Sequence, residues 1–301
     1  MKRILIEIDM VRRLTSQLFF PLVLISVFSL AAFGQHKNSS GFAEIGGGKV
    51  YYEMAGSGSA IVLIHGGLVD GRLWDHQIKY LAKHFTVIRY DLRGFGKSDF
   101  PAAPFSHVDD LYALLKYLKI DKASLIGLSL GGVVAAEFTL AHPEMVEKLV
   151  LTSSGLRAGA KTPRNAQSGA IYKIAEKQGK DKAIEAWLKH PFFASGARHR
   201  AYREKVLAML SDNYRYWGPT PQPIPLTWPS KLTSDRLEEI RKPTLIVVGD
   251  KDAPEILTIA EMLNSGIKGS EKAVIRGVSH HLVMEKPRKY NRLVLKFLQK
   301  H

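Results

Sequence analysis

Three residue types that together carry out acyl transfer occur in this 301-residue chain, each at the end of a short apolar run. The serine is Ser129, within Gly127-Leu128-Ser129-Leu130-Gly131. The carboxylate is Asp250 or Asp252, in Gly249-Asp250-Lys251-Asp252, and the imidazole is His280 or His281, after Gly277-Val278-Ser279. A serine hydroxyl is a weak nucleophile at neutral pH and needs a base to take its proton as it attacks. Histidine, with an ordinary pKa of about 6.5, can accept that proton and return it to a leaving group. A carboxylate beside it fixes the tautomer and stabilises the imidazolium. This chemistry needs neither a metal nor an organic cofactor, and no H-E-x-x-H pair is present.

The elements around these residues must bring them to one place. Residues 123–128 read as a strand, and an alanine-rich helix follows Ser129 directly, so the serine sits on a tight strand-to-helix turn. Such a turn closes only with very small residues two positions before and after the serine, which Gly127 and Gly131 supply. It lifts the hydroxyl above the sheet and aims the N–H groups of the next helix at the same space, where a developing oxyanion can be held. Further short apolar runs cover residues 61–64, ending in His65-Gly66-Gly67, and residues 85–90, running into Asp91 and on to Asp99. Others cover residues 148–152, 244–248 and 273–276. Helices are predicted over 74–83, 108–118, 131–141, 255–263 and 286–299, after a hairpin of residues 42–45 and 49–54. This alternation predicts a mostly parallel sheet covered by helices on both faces, with an antiparallel start. Serine, acid and histidine then follow in that order at the C-terminal ends of strands.

With these four local patterns in this order, the chain resembles the α/β-hydrolase superfamily, in its serine-nucleophile, esterase- and lactonase-like branch, from about Phe42 to the C-terminus. The resemblance implies an α/β-hydrolase fold with Ser129 as nucleophile, His280 as general base and then acid, and Asp252 as the residue that orients the imidazole. It also implies an oxyanion hole made by the backbone N–H groups of Gly67 and Leu130. His280 is preferred to His281 because Gly277-Val278-Ser279-His280 and Glu285-Lys286-Pro287 match the family's spacing, and Asp252 to Asp250 because it is fourth in G-x-x-D. His65 is then a structural histidine under the oxyanion loop, and Arg93 and Asp99 organise a turn. The implied activity is cleavage of a small carboxylic ester or lactone through an acyl-enzyme, without a cofactor. A carbon–carbon bond hydrolase and a perhydrolase share the triad, and a ligand-binding protein with slow residual hydrolysis is the alternative from another class. A serine at position 129 excludes the branches that use an aspartate nucleophile there.

Residues 156–235 are expected to form a helical cap inserted in a core of residues 35–155 and 236–301. Within it, residues 170–178, 180–189 and 198–211 read as helices, and Trp217 to Pro225 is too proline-rich to be one. Its aromatic residues include Trp187, Phe192, Phe193, Tyr214, Tyr216, Trp217 and Trp228, which as a group could line an acyl or alcohol pocket, while for any single one packing within the cap is the ordinary role. The remaining histidines, His190 among them, read as surface or helix-end residues. The chain carries 43 Lys and Arg against 28 Asp and Glu, a net charge of +15, much of it in the insertion. A basic surface of this kind is commonly a solvated helix face, and it also favours approach of anionic substrates. No nucleic-acid motif accompanies the charge. Residues 1–34 read as a secretory leader, with Lys2, Arg3, Arg12 and Arg13 before an apolar run over 18–33 and small residues before Gln35. Export to the periplasm or beyond is expected, with an uncleaved membrane anchor as the alternative. The absence of cysteine excludes disulfides and a thiol nucleophile.

Overall fold

The computed structural model describes residues 38–161, 166–219 and 226–300; the leader expected over 1–34 lies outside them. Eight strands form one sheet: β1 (Ser39–Ile45), β2 (Gly48–Ala55), β3 (Ala60–Ile64), β4 (Thr86–Tyr90), β5 (Ala123–Leu128), β6 (Val146–Thr152), β7 (Thr244–Gly249) and β8 (Glu271–Ile275). Their order is β1-β2-β4-β3-β5-β6-β7-β8. β1, β2 and β4 pair antiparallel, and β4 through β8 run parallel. The hairpin turns at Gly46-Gly47, both with positive φ (52° and 74°), the backbone that a two-residue turn with the right twist demands.

Period-two alternation divides each central strand between two cores. Val62 and Ile64 of β3 and Leu125 of β5 face one side, where α2 (His107–Tyr117), α3 (Leu130–Ala141) and α8 (Pro254–Gly266) pack. Ile61 and Leu63 of β3 and Ile126 and Leu128 of β5 face the other, against α1 (Asp75–Leu81), α9 (Leu282–Glu285) and α10 (Pro287–Lys300). Strands apolar on both faces are what a sheet covered twice requires. Helix starts follow local chemistry. The Ser106 hydroxyl accepts hydrogen bonds from the N–H groups of Val108 and Asp109 at the head of α2, and Pro254 opens α8.

Between β6 and β7 the chain forms α4 (Ala166–Gln178), α5 (Lys180–Lys189), α6 (Arg200–Asp212) and α7 (Tyr214–Trp217). Two details differ from the sequence reading. Arg198 ends a separate 3-10 turn, Gly196–Arg198, because His199 between the two is extended (φ −99°, ψ 122°). Trp217 closes a short helical turn because the prolines that stop it come only from residue 219 on. Cap and core are joined through buried polar groups. Glu137, buried in α3, pairs with Arg157 at 2.6 Å and accepts a hydrogen bond from Thr233, while Arg157 donates to the carbonyls of Pro229 and Lys231. No helix of the described residues is long and apolar enough to cross a membrane.

Candidate active site

Ser129 lies between β5 and α3 with φ 53° and ψ −114°, a left-handed conformation that is costly for a residue with a Cβ. Neighbouring backbone holds it there: its N–H donates to the Thr152 carbonyl at 3.1 Å, and its carbonyl accepts from Gly155 N–H at 3.0 Å. The two flanking glycines are steric requirements. A Cβ at Gly127 would lie 2.1 Å from the Gly131 carbonyl oxygen, and one at Gly131 would lie 2.1 Å from that of Ile64. Leu68 (φ 71°) and Ser153 (φ 40°) also carry positive φ, so strained backbone follows three neighbouring strands, β3, β5 and β6, along one edge of the sheet.

Leu130 is the first residue of α3, and an N–H in a helix's first turn has no intrahelical acceptor. The loop after β3 approaches from the other side: a Cβ on Gly66 would lie 3.2 Å from the Ser129 Cβ. Gly67, next in that loop, is half-exposed and has open space where its own Cβ would be. His65 fixes the loop from beneath. Its Nε2 accepts the Leu92 N–H at 2.9 Å, so the ring proton is on Nδ1 and donates to the Gly66 carbonyl at 2.7 Å. Burial pushes the pKa of His65 down and keeps that tautomer neutral. Arg93 forms a two-pronged pair with Asp110 (2.9 and 2.7 Å) and donates to the Ile45 carbonyl, and Asp99 accepts the Lys49 N–H at 2.8 Å. Both organise turns rather than bonding Ser129 or His280.

Asp252 and His280 meet directly. The imidazole Nδ1 lies 3.0 and 3.1 Å from the two carboxylate oxygens, and both side chains are buried. Their loops are bonded to each other, with Asp250 N–H on the Ile275 carbonyl and Lys251 N–H on that of Val278. The two competing residues are used elsewhere. Asp250 accepts the Gly277 N–H at 2.5 Å. His281 is buried with Nδ1 3.1 Å from the Tyr202 hydroxyl.

Cap residues reach this pair. The Phe192 ring stacks on His280, with centroids 4.1 Å apart and planes 17° apart, and Phe193 packs on His281 at 4.7 Å. His190 caps the end of α5 as a helix-end residue, but it is buried rather than on the surface. Burial, and then the neighbouring His280, push its pKa down to about 4. The sequence signal for this group was weak: a His-Pro-Phe-Phe run at a helix end, with nothing to say which core residue it would meet. Beside Gly67 and Leu68 a recess of about 440 Å³ opens against Tyr172, Glu176, Tyr216 and Trp217 of the cap. Burial, and then proximity to Tyr172, push the Tyr216 hydroxyl up to about 12, so it stays protonated. Among the described residues no group of three His, Asp or Glu is placed to hold a metal ion.

A sheet of this strand order with Ser129 and the Asp252–His280 pair at its ends has a family counterpart: residues 59–287 match the alpha/beta hydrolase fold family. The chain belongs to that family. An uncharacterized Mycobacterium tuberculosis protein is 39% identical over 117 residues, a match that covers 38% of this chain and only about a third (34%) of that relative. The pimeloyl-[acyl-carrier protein] methyl ester esterase of Vibrio atlanticus is 28% identical and matches at nearly full length, over 83% of this chain and 98% of its own. Among solved structures, that of Est816, described as an N-acyl homoserine lactone degrading enzyme, superposes with a TM-score of 0.71 at 30% identity. It covers 85% of this chain and 100% of that one.

Proposed function

We propose that this protein is an exported serine hydrolase that cleaves a small carboxylic ester or lactone through an acyl-enzyme. The observation that carries the reading is the buried Asp252–His280 hydrogen bond, formed in the same molecule as a serine held on a strained turn. In this reading His280 takes the Ser129 proton as the hydroxyl oxygen attacks the substrate carbonyl. The N–H groups of Gly67 and Leu130 receive the oxyanion, and the imidazolium then protonates the leaving alkoxide. Water repeats the sequence on the acyl-enzyme and releases the acid. Asp252 keeps the ring proton on Nδ1, which leaves Nε2 free to act as base.

The relatives support this substrate class, one being a methyl ester esterase and one a lactone-degrading enzyme. The recess beside Gly67 is lined by the rings of Tyr172, Tyr216 and Trp217 together with Glu176. The described residues lining it include Glu176 and neither Lys nor Arg, so any preference for anionic esters rests on the wider charge of the cap. That preference would appear as a kcat/KM that falls with salt for a carboxylate-bearing ester alone. Export rests on the basic start and apolar run of the first 34 residues, and N-terminal sequencing of exported protein is expected to begin near Gln35.

The test is turnover of matched short acyl esters and lactones by the purified protein. Saturable hydrolysis that Ser129→Ala abolishes supports the reading. Slow turnover that the variant leaves unchanged would favour a ligand-binding protein instead.

A further inference from the structure

The imidazole of His280 is restrained on one edge by Asp252 and on one face by the cap. Two hydrogen bonds to a single nitrogen leave a ring free to swing about that nitrogen, and histidine's second side-chain torsion has a broad, soft profile. A ring packed on its face at 4.1 Å removes that freedom. Resting on the triad reading above, we propose that Phe192 is a positioning residue for His280, and that the 190–193 segment of the cap is built to hold it there.

The backbone of Phe192 is tied on both sides. Its N–H donates to His190 Nδ1 at 3.2 Å, which requires a neutral imidazole with a free lone pair on that nitrogen. Its carbonyl lies 3.5 Å from the hydroxyl of Ser279, the residue before His280. The His190 ring packs edge-on to Phe192 at 4.5 Å, and the Trp187 indole lies parallel to Phe192 at 6.5 Å. The titratable groups around His280 are Asp252, His190 and His281, with Tyr202 on His281 and Glu285 on Ser279. Burial lowers both histidine pKa values and raises that of Tyr202, so these three neighbours are neutral near pH 7. The aromatic face against His280 also favours the imidazolium that forms as Ser129 attacks, because a ring face attracts a cation. Contact with Phe192 is therefore worth more in the transition state than in the resting enzyme, which is the condition for raising kcat rather than lowering KM.

The experiment compares Phe192→Leu and Phe192→Tyr with the wild-type protein on one neutral ester that it turns over. Leucine fills much of the volume without a ring face, and tyrosine keeps the face. Phe192→Leu is expected to lower kcat on the order of ten- to a hundred-fold with little change in KM, and Phe192→Tyr to restore most of it. A loss carried by KM, or an equal loss in both variants, would overturn the inference. NMR on the wild-type protein gives a second readout that does not depend on the Phe192 variants. The ring-proton resonances of His280, assigned by their absence in His280→Gln, are expected upfield of an ordinary histidine because of the Phe192 ring current. Resonances at ordinary positions would contradict the stack. Ser129→Ala separates the two proposals. If it is inactive while Phe192→Leu matches wild type, only the positioning role fails; if it retains full activity, the triad reading fails.

Discussion

Asp250 and Asp252 lie two residues apart in one loop and are put to opposite uses. Asp252 holds Nδ1 of His280, whereas Asp250 caps the N–H of Gly277. Asp252→Asn presents an amide where the imidazole needs an acceptor, so it is expected to lower kcat on the order of 10⁴-fold while the protein stays folded. Asp250→Asn keeps an oxygen for Gly277 and is expected to stay within a few-fold of wild type. Steady-state kinetics on both variants checks this, and the reverse ranking would reassign the acid. The family resemblance favoured Asp252 and His280 without excluding their neighbours, because adjacent positions in a loop have no fixed direction until the loop is folded. What separates His280 from His281 is tertiary: Tyr202 of α6, nearly eighty residues away in the chain, occupies His281.

Among the elements, α3 does two jobs. Its first turn follows Ser129, and its buried Glu137 anchors Arg157 and through it the chain returning from the cap. Breaking a buried pair by removing one partner costs about 3–5 kcal/mol, because the remaining charge is left without a counter-ion. Arg157 is 17% exposed and recovers some hydration, so Glu137→Ala is expected near the low end, roughly 3 kcal/mol. Urea unfolding monitored by circular dichroism would measure it, and an unchanged midpoint would remove the latch. The strand and helix pattern was legible because each element carries its own signal: alternation split between two cores, Pro254 opening α8, and glycines fixed by contacts near 2 Å at the turn of Ser129. The latch was not. Glu137 reads as one polar residue in an apolar helix, and its partners come from segments that only the folded chain brings together.

Across the whole molecule, buried histidines make stability depend on pH. His65, His107, His190 and His281 all have pKa values lowered by burial, to about 3 for His107 and about 4 for His190. A depressed folded-state pKa means that the unfolded chain binds protons first as pH drops below about 6.5. Their contribution is therefore fully present above that pH and is lost as pH falls toward the folded-state values. The thermal midpoint is expected to fall between pH 7.5 and pH 5, with a shallower slope in His190→Gln; equal slopes would exclude His190 as a source. The same burial keeps His190 and His281 neutral around Phe192, so stability and the packing of the site respond to pH together. The most direct measurement of the central claim is peptide mass mapping of the protein after reaction with a fluorophosphonate. The expected result is one stoichiometric adduct on the peptide containing Ser129, absent when Ser129 is replaced by alanine and greatly slowed when His280 is. An adduct on another residue, or an unmodified Ser129 in protein that hydrolyses esters, would contradict it.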